Sequence, residues 1–471
     1  MALPDVRNRI KDGAMGVLGA DATGIFAAIG VAAKPSNGII TFSDPDQVDG
    51  LIGDGPLRDL LVSSLSIAKT TIYAVALEGT VPGTNTEVSP GEDNTGAGTV
   101  TVAGSPRNEY DITVEIQSEG ALNGGVFRVT IDGLPGKLIT IPAGGTYPIP
   151  DTGITLTFVP NEGTFKEGDT FTFSTTAPTA TSGEVLQAVD AILEAKKAIE
   201  FIAVTGISAA PLWAALATKA EGAAEIFQYL FFVCQARYKG DTETYDQWVN
   251  ALTGSERGTV ASTRLQVIAG YIEEADSNGQ VDTRGLIGTY CGKLAGLPVH
   301  QGPDAVRSGS ITAATAIKPD GINDGHIEAL KNAGYVTARK IIGLNGIYVT
   351  SGQMMSEAGS DYDLVERRRV MDKACRQVRT AQLIYLNDVV KVGGDGSPEG
   401  LEMFVAQSEN PLKIMENAEE ISSGYVVIPA GQNILSTKTL RTKVRIVPLG
   451  KLSYIENEIA YSNPALEVSN G

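Results

Sequence analysis

Two histidines, His300 and His326, are the only imidazoles in this chain of 471 residues. Neither stands in a HExxH spacing or in a Cys/His cluster, so metal-assisted hydrolysis has no ligand set to work with. A GxSxG elbow for a nucleophilic serine is absent, as is the GxxxxGK[ST] loop that cradles phosphates. Gly53-Asp54-Gly55-Pro56 and Gly393–Gly396 lack the required lysine and read as turns. The adjacent carboxylates Glu273-Glu274 and Glu419-Glu420 project in different directions on a helix and make poor acid/base partners. Asp276-Ser277-Asn278-Gly279 begins like a calcium loop, but its twelfth position is Ile287, where a bidentate glutamate is needed. No catalytic, cofactor-binding or metal-binding residue can be assigned, and no cofactor is expected.

Two other features carry chemistry of association. Between Glu366 and Arg379 an otherwise acidic chain concentrates Arg367, Arg368, Arg369, Lys373, Arg376 and Arg379 on one predicted helix. The bland reading is a solvated face. The functional one is a contact with an acidic patch on another subunit, because opposite potentials steer association and fix register. Aromatic interleaving, which single-stranded nucleic acid would need, is missing from this helix. Near the end, Lys443–Ile459 alternates as a strand should, with Val444, Ile446, Val447, Leu452, Tyr454 and Ile455 as its apolar or aromatic positions. Such a strand either completes the chain's own sheet or adds to a neighbour's, where backbone hydrogen bonds supply the affinity.

The elements that position these features follow from pattern. Residues 24–33, GIFAAIGVAA, read as a buried strand or strand-turn; Ser43-Asp44-Pro45-Asp46 opens a helix; Leu57, Leu60, Leu61 and Leu65 recur at helical spacing; and Thr70–Leu77 reads as a strand. From Gly79 to about Thr181 the composition shifts to Gly, Thr, Pro and Val with alternating runs such as Asp111–Ile116 and Phe127–Asp132. That pattern predicts an inserted all-β sandwich. Helix and strand then alternate again, with a helix over 211–225 and a core strand over Phe227–Cys234. The expected class is a multidomain α+β or α/β protein, divided into 1–79, 80–181 (the insert), 182–345 and a strand-rich 346–471. Hydrophobic residues at 42% and charged residues at 20% exclude wholesale disorder, and a net charge of −18 argues against a nucleic-acid partner. No stretch approaches the ~20 apolar residues that would cross a bilayer, so no membrane insertion is expected. Cys234, Cys291 and Cys375 are odd in number and widely spaced, as reduced thiols would be.

The run GIFAAIGVAAKPSNGIITFSDPDQVDGLIGDGPLRDLLVSSLSIAKTTIYAVAL, together with GLNGIYVTSGQMMSEAGSDYDLVERRRVMDKACRQVRTAQLIYL, resembles the contractile tail sheath family of myophages and phage-tail-like bacteriocins. The resemblance covers about half the chain and rests on the type and order of elements. It implies a tail-sheath-like core, interrupted here by an outward-facing sandwich, that stacks as hexameric rings in a helical sheath around an inner tube and contracts without nucleotide. Implied partners are further copies of the chain, the tube protein, and baseplate and tail terminator proteins. The implied location is a virion tail or phage-tail-like particle assembled in the bacterial host cytoplasm. By the same resemblance, Val444–Ile455 and the strand before it are linking candidates, and the helix over 366–379 is a tube or inter-subunit contact. The N-terminal arm is short for the family. Two alternatives remain: another tail or baseplate component, or an α/β enzyme carrying a carbohydrate-binding module.

Overall fold

A computed structural model describes residues 22–161, 164–275 and 281–461. The N-terminal arm and the Asp276–Gly279 segment therefore lie outside the described residues. The chain divides into two compact units, Met1–Leu386 and Asn387–Gly471.

The first unit opens with β1 (Phe26–Val31), β2 (Ile40–Phe42), the short α1 (Val48–Ile52), α2 (Pro56–Ile67) and β3 (Ile72–Leu77). Asp44 accepts a hydrogen bond from the Asp46 amide just before α1, the capping that its residue type favours. β1 is buried along its whole length because both faces of its sheet are covered. Phe26 and Ala28 point into one apolar layer with α2, while Ala27 and Ile29 point into the other.

From β3 the chain leaves for eight strands: β4 (Ser89–Pro90), β5 (Thr99–Gly104), β6 (Asp111–Ser118), β7 (Val126–Ile131), β8 (Leu134–Thr140), β9 (Thr146–Ile149), β10 (Ile154–Val159) and β11 (Thr170–Ser174). They form a three-stranded sheet, β5-β10-β9, and a five-stranded one, β4-β11-β6-β7-β8, every pairing antiparallel. Their alternating side chains build a separate core in which Phe127, Phe158, Phe165 and Phe171 meet ring to ring at centroid distances of 4.6–6.2 Å. A two-strand stalk connects these sheets to the rest, with bridges at Val81–Thr179 and Asn85–Thr175.

The chain then resumes the first sheet through α3 (Ser182–Glu194), β12 (Phe201–Ile207), α4 (Ala210–Glu225), β13 (Phe231–Gln235), α5 (Tyr245–Ala251) and β14 (Leu265–Ile268). Next come β15 (Tyr271–Ala275), β16 (Val281–Gly285), α6 (Ile287–Gly296), β17 (Ala314–Lys318), α7 (Asp324–Asn332), β18 (Tyr335–Val336), β19 (Ala338–Lys340), β20 (Ile347–Val349) and α8 (Val365–Gln382). The completed seven-stranded sheet runs β18-β14-β13-β12-β1-β3-β2, parallel except for β2 on β3. The core strand expected over Phe227–Cys234 begins only at Phe231. Phe227 instead sits at φ +68° in the turn after α4, because the helix must reverse there before β13 can enter the sheet.

Helix α6 packs on α2 through a stripe of small residues. A Cβ placed on Gly292 would stand 2.7 Å from the Ser64 carbonyl oxygen and 2.9 Å from the Ser64 Cα, and one on Gly288 would stand 2.9 Å from the Ser63 Cβ. Backbone cannot yield as a side-chain tip can. Gly292→Ala is therefore expected to destabilise the chain by about 1–3 kcal/mol, read as a lower urea midpoint at unchanged slope. An unchanged midpoint would show that the two helices part freely.

The second unit holds the short hairpin of β21 (Lys391–Val392) and β22 (Pro398–Glu399), then α9 (Glu402–Asn417), β23 (Ser423–Val427), α10 (Ile434–Thr437) and β24 (Lys443–Val447). Strand β24 pairs antiparallel with β23, and α9 covers one face of that pair with Phe404, Leu412 and Met415. The strand expected over Lys443–Ile459 stops at Val447, opposite Ser423 where β23 begins, and the next residues meet no partner strand among the described residues.

Candidate functional site

The basic helix α8 is turned inward. Its apolar positions Val365, Val370, Ala374 and Val378 are buried, and so are Arg368, Arg369 and Lys373. A buried cation must be paired, and the pairs come from distant parts of the first unit. Arg369 donates through Nε to Glu200 Oε1 at 2.7 Å and through Nη2 to Oε2 at 3.0 Å, and both side chains are 0% exposed. The same guanidinium donates to the carbonyl oxygens of Leu297 and Pro298, just beyond α6. Glu200 also accepts the Gly24 amide at 2.9 Å, so one ion pair ties α8 to the segments entering β1 and β12.

A second cluster lies one turn on. Asp372 accepts from Arg368 Nη2 at 2.6 Å and from Arg264 Nη1 at 3.0 Å, while Arg264 also donates to the Leu230 carbonyl. Arg368 lies over the Tyr362 ring. Arg376 donates to the Tyr229 carbonyl at 2.8 Å, and Arg379 stacks 4.2 Å from the centroid of the Phe227 ring. These contacts clamp the α4–β13 turn onto α8 and hold Phe227 in its left-handed conformation. Of the candidate contact residues on this helix, Arg367 is the one classed as exposed, in an i, i+4 ion pair with Asp363 at 3.0 Å. The others are spent largely within the chain. Glu200, Arg264 and Asp372 were missed by sequence reasoning, and nothing local marks Glu200, which is 169 residues from Arg369.

The linking candidates behave differently. Val444 and Ile446 lie in β24 and are half-buried, whereas Val447 is exposed with Tyr425 and Val427 of β23. Beyond β24, Leu452, Tyr454, Ile455 and Ile459 are 76–92% exposed and belong to no strand. A segment with exposed apolar side chains thus follows a two-stranded sheet, a size marginal in water by itself.

Conventional reactive groups have no comparable setting. Burial pushes the Cys234 thiol up to about 12 and Cys291 well above its ordinary value. His326 caps α7 together with Asn323 and meets Asp246 at 3.0 Å. Among the described residues no group of three or more His, Cys, Asp or Glu could hold a metal ion. Open α/β sheets bind ligands at the strand ends where the order reverses. Here that crevice, beside Gly30, Val31, Thr205 and Gly206, is narrowed by Thr179 and Ala180 to about 30 Å³, and no titratable side chain lines it.

Comparison with known proteins places these features in context. The family description "DUF2586, N-terminal domain" matches residues 3–353, and "DUF2586, C-terminal domain" matches 361–466. A protein of Haemophilus phage HP1 (strain HP1c1) named "Putative tail sheath protein" is 26% identical over 220 residues, covering 44% of this chain. The match spans 54% of that relative, so the chain spans about half the length of the curated protein it matches. Among solved structures, a chain of the anti-feeding prophage baseplate aligns with TM-score 0.56 and 10% identity over 98% of this chain and 100% of its own. A chain of the PVC sheath complex, an extracellular contractile injection system in its contracted state, aligns with TM-score 0.55 and 10% identity over 98% of both chains. The mixed α and β fold is thus one found in contractile injection systems.

Proposed function

The chain belongs to the DUF2586 family, matched in both its N-terminal and C-terminal domains, and from that premise we propose that it is the sheath subunit of a contractile phage-type tail. It stacks as hexameric rings around an inner tube and shortens to drive that tube through a cell envelope. The observation that carries this reading is the exposed apolar segment after β24, beside a hairpin with Tyr425, Val427 and Val447 on its open face. A segment of this kind gains its missing hydrogen bonds by adding a strand to a neighbouring copy. Val444, Ile446, Val447, Leu452, Tyr454 and Ile455 are then the linking residues, while Arg367, exposed in its ion pair with Asp363, is the part of α8 that can face a tube or neighbour.

In this reading the sheath core comprises 1–79 and 182–345, the segment 80–181 is an inserted β-sandwich carried on the outside, and 346–471 is the C-terminal sheath domain that carries the linking strands. Contraction needs two packings of the same subunits that differ by a few kcal/mol each, summed along the array while linked strands hold neighbours together. The partners are further copies, a tube protein, and baseplate and terminator proteins, in a virion tail or phage-tail-like particle assembled in the host cytoplasm. The role is structural and has no catalytic centre.

Negative-stain images of the purified protein test this directly. Tubes or stacked rings with sixfold symmetry are expected. Single closed rings would favour a baseplate component, the second reading suggested by the anti-feeding prophage match, and monomers under every condition would sink both.

A further inference from the structure

The eight-stranded region touches the α/β layer away from its stalk, and the contact is crowded with carboxylates. On the α/β side stand Asp54 in the loop before α2, Asp59 on α2, Glu274 on β15 and Asp282 on β16. Facing them are Glu109, Asp111 at the start of β6 and Asp132 in the β7–β8 turn. Asn108 donates from Nδ2 to Asp54 at 3.2 Å and to Asp59 at 3.0 Å, and the Tyr110 hydroxyl donates to Asp54. The guanidiniums among them are already engaged. Arg284 lies between Asp282, at 3.0 Å, and Asp59, at 3.4 Å, while Arg58 is held by Asp49 at 2.6 Å and Asp59 at 3.3 Å. Beyond Glu109 lie Tyr238 and Tyr271, with Lys318 bound to Glu273 and Asp320.

We propose that this junction is a proton-operated latch: the β-rich region seats firmly on the α/β layer in mild acid and loosens on its stalk toward neutral pH. The stalk supplies the hinge, because it holds the region through paired backbone at Val81–Thr179 and Asn85–Thr175 whatever the charge of the junction. The junction supplies the switch, because like charges held together across a partly dry contact repel unless protons or cations neutralise them.

Asp132 and Glu109 on the β-rich side and Glu274 on the other are carboxyls that the junction raises. Burial pushes the Asp132 carboxyl up to about 6; Asp282 and Asp111 push the same way, against the Asp111 amide and Arg284. Glu274 is also raised, first by burial. A carboxyl with a higher pKa docked than undocked takes up a proton on docking. The stabilisation is therefore complete below the ordinary aspartate value near 4 and is lost as pH rises through about 6.

Hydrogen–deuterium exchange of the full chain at about pH 5 and about pH 7.5, corrected for intrinsic rates, tests the latch. Segments 105–112 and 281–285 are expected to be roughly tenfold better protected in acid, while β12 and β13 do not change. Asp132→Asn keeps the acceptor that takes the Asp111 amide at 2.6 Å, and asparagine tolerates the φ of +49° at this turn, so the variant folds. It should weaken the pH dependence, leaving the smaller part that Glu109 and Glu274 supply. Asp282→Asn should move the midpoint to lower pH. Equal wild-type protection at both pH values, full pH dependence retained in Asp132→Asn, or parallel changes in β12 and β13 would each overturn the proposal.

Discussion

Arg369→Ala is expected to destabilise the first unit by about 3–5 kcal/mol, a large share of the ~5–15 kcal/mol that holds a typical domain folded. The cost comes less from the attraction that is lost than from what stays behind. Glu200 remains fully buried with the Gly24 amide still donating to it, and the carbonyl oxygens of Leu297 and Pro298 lose a shared partner. Arg369→Met combined with Glu200→Leu is expected to cost less than Arg369→Ala alone, because apolar groups of similar volume need no counter-charge. Urea titrations of the two variants decide the matter. A cost below ~1 kcal/mol for the alanine variant would place the pair among surface ion pairs and contradict its burial.

Ending the chain at Val447 is expected to leave the fold intact and stop assembly. Among the described residues removed, 448–461 have almost all their apolar side chains in solvent, so their loss takes little from the folded monomer. The first thermal transition should move by less than about 2 °C, the equivalent of under ~1 kcal/mol. Pelletable polymer should fall by more than about tenfold, because the strand that would complete a neighbour's sheet is gone. Replacing Leu452, Ile455 and Ile459 together by aspartate should reproduce the loss in a full-length chain, since apolar anchors dominate such contacts. Polymers as abundant as those of the intact chain would remove this segment from the linkage and leave Arg367 and the open face of β23–β24 as the remaining candidates.

Comparing these two regions separates what is local from what is not. Periodicity alone locates α8, and Leu57, Leu60, Leu61 and Leu65 locate α2, because an amphipathic stripe depends only on 3.6 residues per turn. The unbroken apolar run of β1 likewise announces a strand covered on both sides. The alternation in Asp111–Ile116 places Ile112, Val114 and Ile116 in their core before any partner strand is known. By contrast, the fate of the arginines on α8 depended on where Glu200 and Asp372 came to rest. Charge in a sequence says that a partner is needed, and only the folded chain says whether the partner is water, another subunit or a carboxylate beneath the helix.

The end of β24 follows the same division. The alternation of Lys443–Ile459 records what those residues suit, a strand, but a strand exists only where another backbone offers donors and acceptors. Within this chain β23 offers them as far as Val447 and no further. The sequence by itself therefore determined the type and order of most elements, the absence of a recognisable reactive motif and the apolar character of the terminal segment. Tertiary structure alone decided that the basic helix is an internal strut and that residues 448–461 pair with no strand among the described residues, because pairing of charges and of backbone depends on residues that are distant in sequence.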